Sequence, residues 1–158
     1  MGANIVTSMG VHVQEEIRIS RPRAQVAAWA SDPDNAPRWR EDIDAVEWKS
    51  SKPLTTGSRV AFTTPSLGLP LAYRYTVVEH IPGERTVYRT EEGPFPIETT
   101  LSFADADDGA ATGVTLGTSG ERKEGSKLAA RILARTMRRA GARDLARLKQ
   151  ILESDDGG

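Results

Sequence analysis

An α+β fold is predicted by three observations. A proline-free helical stretch runs from about Glu124 to Glu153, several short β-like segments separated by Pro, Gly and Asp turns precede it, and a short helical pair precedes those, at Pro22–Asp32 and Asp34–Arg40. A chain ordered as strand, two short helices, many strands and one long terminal helix buries that helix most simply by laying it across a curved antiparallel sheet. A sheet curled around a helix leaves a hollow between the two, and hollows of this kind bind small apolar molecules.

The elements follow in order. Val11–Ile19 reads as a strand, with Val11, Val13, Ile17 and Ile19 on one parity. Ser20 is an N-cap and Pro22 stands just inside the first turn, a favourable helix start. Val26, Trp29 and Ala30 share a helical face, and Asp32-Pro33 ends the helix because the residue before proline is pushed out of the α region. A second short helix near Asn35–Arg40 carries Trp39. Ala45–Lys49 and Arg59–Thr64 are strands joined by a turn in which Gly57 supplies backbone freedom. Pro65, Gly68 and Pro70 mark a loop, Leu71–His80 a long strand, and Ile81-Pro82-Gly83-Glu84 a hairpin turn. Thr86–Glu91, Ile97–Phe103 and Ala111–Ser119 complete the strands, with turns at Gly93-Pro94 and Ala104–Gly109. In the terminal helix, Ala130, Leu133, Ala134, Met137, Gly141, Leu145, Leu148 and Leu152 fall on one stripe. Arg131, Arg135, Arg139, Arg143 and Arg147 fall opposite, and small residues at Ala134, Ala140 and Gly141 allow close approach of the sheet or leave room for a ligand.

Composition narrows the functional classes. The 158 residues suit one domain, with a core large enough to need no staples. The expected division is a tail over residues 1–10, a single domain over 11–153 and a frayed acidic tail over 154–158. Absence of cysteine excludes disulfides, thiolate catalysis and thiolate metal sites. A formal net charge of -1 gives no global field toward nucleic acid or membrane, so no nucleic-acid partner is expected. The amino terminus lacks the pattern of a signal peptide and no apolar run approaches a membrane span, so a cytoplasmic protein, monomer or homodimer, is the expectation. With only His12 and His80 and no metal-ligand spacing, neither a metal nor a cofactor is expected. Gly117-Thr118-Ser119-Gly120 does not have the spacing of a nucleophile elbow.

Several of these segments together resemble a known superfamily. The run Ile17–Ile19, Ser20-Arg21-Pro22, Val26, Trp29, Asp32-Pro33 and Pro37-Arg38-Trp39 is similar to the opening of SRPBCC (START-like) proteins. Gly57-Ser58-Arg59, Val77-Val78-Glu79-His80-Ile81-Pro82-Gly83, Val87-Tyr88-Arg89 and Leu145-Ala146-Arg147-Leu148-Lys149 fit as well. The likeness covers roughly Val11 to Glu153 and is greatest to the polyketide cyclase/dehydrase and lipid transport branch. It implies a helix-grip fold: a seven-stranded curved antiparallel sheet wrapped around the long C-terminal helix, two short helices after the first strand, and a cavity between sheet and helix.

The strand parity nominates the wall of that cavity. Phe62 and Thr64, then Tyr73 and Tyr75, then Tyr88, then Thr99 and Leu101 are expected to face inward, with Leu133 and Met137 as roof. Tyrosine hydroxyls in an apolar cup orient a ligand while the rings supply contact area. Trp39, on the second short helix, is a ligand-binding candidate at the cavity mouth, although core packing is the plainer reading of a tryptophan there. Four side chains are candidates for acid–base chemistry: Arg74, His80, Glu98 and Asp144. Alternation puts Arg74 and His80 opposite Tyr73 and Tyr75, on a solvated face, and Asp144 reads as a boundary residue paired at i,i+3 with Arg147. The arginine face of the last helix reads as a solvated face, with transient membrane contact during lipid exchange as its alternative.

The leading expectation is therefore a binding protein for a small hydrophobic, lipid- or polyketide-like ligand held in an internal cavity. A polyketide cyclase or dehydratase acting on an aromatic or poly-β-ketone precursor is the alternative, and a surface interaction module without a ligand is the third. An enzyme needs an acid or base inside the cup. A binding protein needs hydroxyls and apolar walls, and an interaction module needs an exposed apolar patch.

Overall fold

The computed structural model describes residues 9–66, 69–90, 97–122 and 127–154. Seven strands form one antiparallel sheet: β1 (Met9–Ile19), β2 (Ala45–Trp48), β3 (Arg59–Ser66), β4 (Leu69–Ile81), β5 (Arg85–Thr90), β6 (Ile97–Ala106) and β7 (Ala111–Arg122). Their spatial order is β1-β7-β6-β5-β4-β3-β2. Every neighbouring pair except β1–β7 is consecutive in the chain, so β1 and β2 lie at opposite edges. The helices α1 (Arg23–Ala30) and α2 (Ala36–Trp39), with a 3-10 turn at Pro33–Asn35, make the connection between those edges. α3 (Lys127–Ser154) is the long terminal helix. The α+β helix-grip architecture expected from the sequence is the one observed.

Cross-strand partners share a face of a sheet. Val60 pairs with Tyr75, Phe62 with Tyr73, Val77 with Tyr88, Tyr88 with Thr99, Thr99 with Thr118 and Leu101 with Leu116. The inward parity expected for Phe62, Tyr73, Tyr75, Tyr88, Thr99 and Leu101 therefore holds across four strands. The outward position expected for His80 fails, because the register of β4 against β5 shifts between Val77 and Glu79. One extra residue in a strand reverses the alternation beyond it. His80 consequently pairs with buried Thr86 on the inner face, its Nδ1 2.8 Å from Thr86 Oγ1, and not on the outer face with Arg74.

The expected loop at Pro65, Gly68 and Pro70 is shorter than composition suggested. β3 continues to Ser66 and β4 starts at Leu69, with Pro65 opposite Pro70. Proline, which cannot donate to a ladder, is tolerated at such strand ends. Gly68, the Gly93-Pro94 turn, the helix start at Glu124 and most of both tails lie outside the described residues. β1 begins at Met9 and α3 ends at Ser154.

The main core joins Ile19, Val26, Trp39, Leu101, Phe103, Val114 and Leu116 to Leu145, Leu148 and Leu152 of α3. α3 is anchored unevenly. Its buried residues are Asp144, Leu145, Leu148 and Leu152, all in the second half. Its carboxyl end is also pinned by polar contacts to β1. Glu153 accepts a hydrogen bond from the Ser20 backbone N–H at 2.7 Å, and Lys149 Nζ donates to the Arg18 carbonyl at 2.7 Å and to Glu153 at 2.8 Å. Those contacts hold the Glu153 carboxyl below the usual carboxylate range. Ala130, Leu133, Ala134 and Met137, the first half of the expected apolar stripe, are not buried, and Leu133 and Met137 overlie a hollow and not packed sheet.

Candidate binding cavity

A cavity of about 450 Å³ lies between the sheet and the first half of α3. Its roof is Leu133, Met137, Ala140 and Gly141, and its walls include Tyr75, Thr99, Leu116, Thr118 and Ser119. An adjoining floor pocket of about 70 Å³ continues beneath Trp39, Phe62, Thr64, Tyr88 and Leu101 and shares Arg40, Asp42, Tyr75, Thr99 and Leu116 with the larger space. Gly141 matters to the shape. A Cβ there would come 3.4 Å from Glu15 Cγ of β1 and 3.8 Å from Leu116 Cδ2, ordinary van der Waals contact, so the helix packs closely on β1 and β7 at this point.

The walls are aromatic on one side. Phe62, Tyr75 and Tyr88 form a ring triad with centroids 5.6, 5.9 and 6.3 Å apart, in tilted and edge-to-face contacts that favour ring–ring attraction. Burial pushes the Tyr75 phenol above its ordinary range and Tyr88 further up, with Arg40 acting weakly against it in both cases. Both are neutral phenols at physiological pH, available as hydrogen-bond donors. Trp39 is 2% exposed, and its indole Nε1–H is the one buried side-chain polar atom without a partner among the described residues.

The opposite side is charged. Arg40, at the end of α2, donates from Nε to Asp144 Oδ2 at 3.0 Å, and the Glu41 backbone N–H donates to Asp144 Oδ1 at 3.1 Å. The Arg40 guanidinium also lies 5.4 Å from the Trp39 ring centroid, a cation–π contact. Asp144 is 4% exposed. Burial raises its carboxyl above the ordinary value, against the opposing pull of Arg40 and the Glu41 N–H. Asp42 completes this polar pole of the cavity.

Most of the nominated wall converges here. Trp39, Phe62, Thr64, Tyr75, Tyr88, Thr99, Leu101, Leu133, Met137 and Asp144 all line the cavity or its floor. Tyr73 shares the inner face but is 37% exposed, beyond the rim. Trp39 belongs to the core and floor, not to the mouth. Asp144 is paired with Arg40 and not with Arg147, whose Nε donates instead to the Arg38 carbonyl at 2.6 Å. Arg74 is exposed on the outer face beside Lys49 and Arg59, and Glu98 is on that face in an ion pair with Arg89 at 2.6 Å. His80 lines a separate open groove against α1, with Ala27, Trp48 and Lys52. Burial lowers its pKa. Of the four acid–base candidates, only Asp144 reaches the cavity. Arg40 and Asp42 were not nominated. Their sequence signal, a charged cluster following a tryptophan, gave no sign of a carboxylate 104 positions later.

Among the described residues no helix is long and apolar enough to cross a membrane, and no group of acidic or histidine side chains is arranged to hold a metal ion. Fold and topology are those of a helix-grip protein. The chain belongs to the family described as polyketide cyclase / dehydrase and lipid transport, whose model matches residues 10–153. Among solved structures it is similar to the Zhui aromatase/cyclase from Streptomyces sp. R1128, at 15% identity and a TM-score of 0.76, over 95% of this chain and 99% of that one. It is also similar to a START superfamily protein from Mycobacterium smegmatis, at 14% identity and a TM-score of 0.71, over 89% and 99% of the two chains. The di-domain ARO/CYC StfQ from the steffimycin biosynthetic pathway matches at 15% identity and a TM-score of 0.76, over 95% of this chain and 53% of that one. At these identities the likeness is one of fold. No curated protein matches in sequence.

Proposed function

We propose that the protein binds a small, largely apolar molecule between sheet and α3, with one polar end of the ligand directed at Arg40 and Tyr75. The observation that carries this reading is the cavity itself, about 450 Å³ with an adjoining floor pocket, aromatic on one wall and charged on the other. The unpartnered Trp39 N–H and the two neutral phenols supply donors for an acceptor on the ligand. A concave, mostly apolar space with few convergent polar groups is the usual form of a small-molecule site. A module acting only through its surface would have no use for such a space.

The test starts with native mass spectrometry and extraction of any co-purifying compound. In parallel, anilinonaphthalene sulfonate, whose rings suit the aromatic wall and whose sulfonate can meet the Arg40 guanidinium, serves as a fluorescent probe. Ala140→Phe, which fills the roof, is expected to weaken the probe at least about tenfold, as loss of a ring-sized contact area does. Trp39→Phe is expected to weaken an acceptor-bearing ligand by about five- to tenfold through the missing donor. Unchanged probe binding in Ala140→Phe, with a normal melting curve, would place the binding elsewhere.

A second reading, catalysis on a poly-β-ketone, is favoured by one specific observation: a carboxyl buried at the cavity wall, raised by desolvation and held by an arginine. Such a group can exchange protons with a bound ketone while Arg40 polarises its oxygen. Asp144→Asn is then expected to reduce turnover of a poly-β-ketone mimic by about a hundredfold or more while leaving its binding within a few-fold. Equal turnover in the variant and the parent rejects this reading and leaves the binding reading intact.

A further inference from the structure

We propose that the solvent face of the first half of α3 is a docking surface for an anionic lipid bilayer. Three observations on that half-helix point the same way, and none depends on what the cavity holds.

The first is charge. Residues 127–143 hold Lys127, Arg131, Arg135, Arg138, Arg139 and Arg143, six cations, and no acidic residue, in a chain whose formal net charge is only -1. Lys127, Arg131, Arg135, Arg139 and Arg143 are spaced at i,i+4, so like charges stand one above another along one side. That arrangement destabilises a helix by a few tenths of a kcal/mol per pair. It also places cations near the amino end, where the helix dipole disfavours them. All six are exposed, and among the described residues the one carboxylate within 4 Å of any of them is that of Glu41, 3.9 Å from Arg143. A merely solvated face would interleave acids, as helix stability favours. This one retains an unfavourable row.

The second is the position of two aliphatic side chains. Leu128 is 66% and Ile132 59% exposed. They are four residues apart and, at about 100° per residue, lie among Arg131, Arg135 and Arg139 on the side away from the roof residues Met137 and Gly141. Cations flanking protruding aliphatics are what an interfacial helix presents to anionic headgroups and the acyl boundary beneath them. Nucleic acid would use the arginines but gain nothing from Leu128 and Ile132. A protein groove would have to match a convex helix, whereas a bilayer adapts to it.

The third is continuity. Leu133, on the same turn as Ile132, is itself 37% exposed and lines the cavity roof. The docking face and the cavity edge are therefore one short stretch of helix.

The test is co-sedimentation of the full chain with vesicles of phosphatidylcholine, alone or with phosphatidylglycerol, across a salt series. Binding is expected only to the anionic vesicles and is expected to fall as salt rises. Arg131→Gln/Arg135→Gln/Arg139→Gln should weaken it on the order of a hundredfold, about fivefold for each cation removed. Leu128→Ser/Ile132→Ser should weaken it at least about tenfold while preserving the salt dependence. All five positions are exposed, so circular dichroism should remain that of the parent. Absence of binding to anionic vesicles at low salt overturns the proposal. So does vesicle binding untouched in Leu128→Ser/Ile132→Ser, if the arginine variant loses vesicles and duplex DNA alike. That result would define an undiscriminating polyanion face.

Discussion

Arg40→Met is expected to destabilise the protein by about 3 kcal/mol near neutral pH, and by much less in acid. The reason lies in the partner it would abandon. Asp144 is 4% exposed, and its charge is held by Arg40 at 3.0 Å and the Glu41 N–H at 3.1 Å. Removing one member of a buried pair leaves an uncompensated charge, which costs more than the pair itself contributes. The sign with pH follows from the direction of the shift. The folded-state carboxyl is raised above its ordinary value of 3.8. Between the unfolded and folded pKa values the folded state therefore binds more protons than the unfolded state. Stability from this group is full below the unfolded value and is lost as pH rises through the folded one. Without Arg40 the folded pKa moves further up, so the loss is larger and extends to higher pH. Urea denaturation of parent and variant from about pH 4 to about pH 8 should show a stability difference that widens across the carboxylate range. Arg40→Met/Asp144→Asn should recover a large part of the loss at neutral pH. A difference that stays constant with pH would mean that Arg40 contributes through packing on Trp39 alone.

The pair also shows where sequence reading stops. The fold was legible because its signals are local. Parity in β1 and β3 to β7, proline stops near Asp32-Pro33 and a long uninterrupted helix each lie within a few residues of one another. The inward set Phe62, Tyr75, Tyr88, Thr99 and Leu101 follows from parity plus pairing, and the observed register keeps it together. Arg40 and Asp144 are 104 residues apart, and nothing in either neighbourhood specifies the other. On local pattern Asp144 matches Arg147 at i,i+3, but Arg147 finds a backbone carbonyl of α2 because the helix packs there. Long-range docking of α2 against α3 decides the matter, and that docking is a property of the assembled core.

His80 is an instructive miss of another kind. Simple alternation from Tyr73 sends it outward, and the single register shift between Val77 and Glu79 brings it back to Thr86. Bulges are set by pairing between strands, not by composition, so Val77-Val78-Glu79 carries no mark of one. Even inward, His80 reaches the groove beside α1 and not the cavity, because the bulge lies at the end of β4 remote from the roof helix. Arg74, before the bulge, keeps its outward position as alternation requires.

The largest effect on stability from a single truncation is expected at Leu148, and it should contrast sharply with Leu133 one half-helix earlier. Leu148 is 0% exposed and joins Leu145 and Leu152 in the core with Ile19, Val114 and Leu116. Leu148→Ala removes buried methyl and methylene groups from packed surroundings and should cost about 3 kcal/mol, within a usual range of about 2–5. For a domain of this size that is a fall in Tm of roughly 6–12 °C. Leu133 is 37% exposed and borders empty space. Leu133→Ala should therefore cost less than about 1 kcal/mol, while enlarging the roof opening and weakening a cavity probe. Amide exchange offers a check that requires no variant. Protection over 144–154, which holds all the buried residues of α3 and its ties to β1, should approach the global unfolding limit. Protection over 127–143 should be lower and should rise when a ligand supplies the missing packing. Uniform protection along α3 in the ligand-free protein would show that the roof half is held by something other than the contacts described.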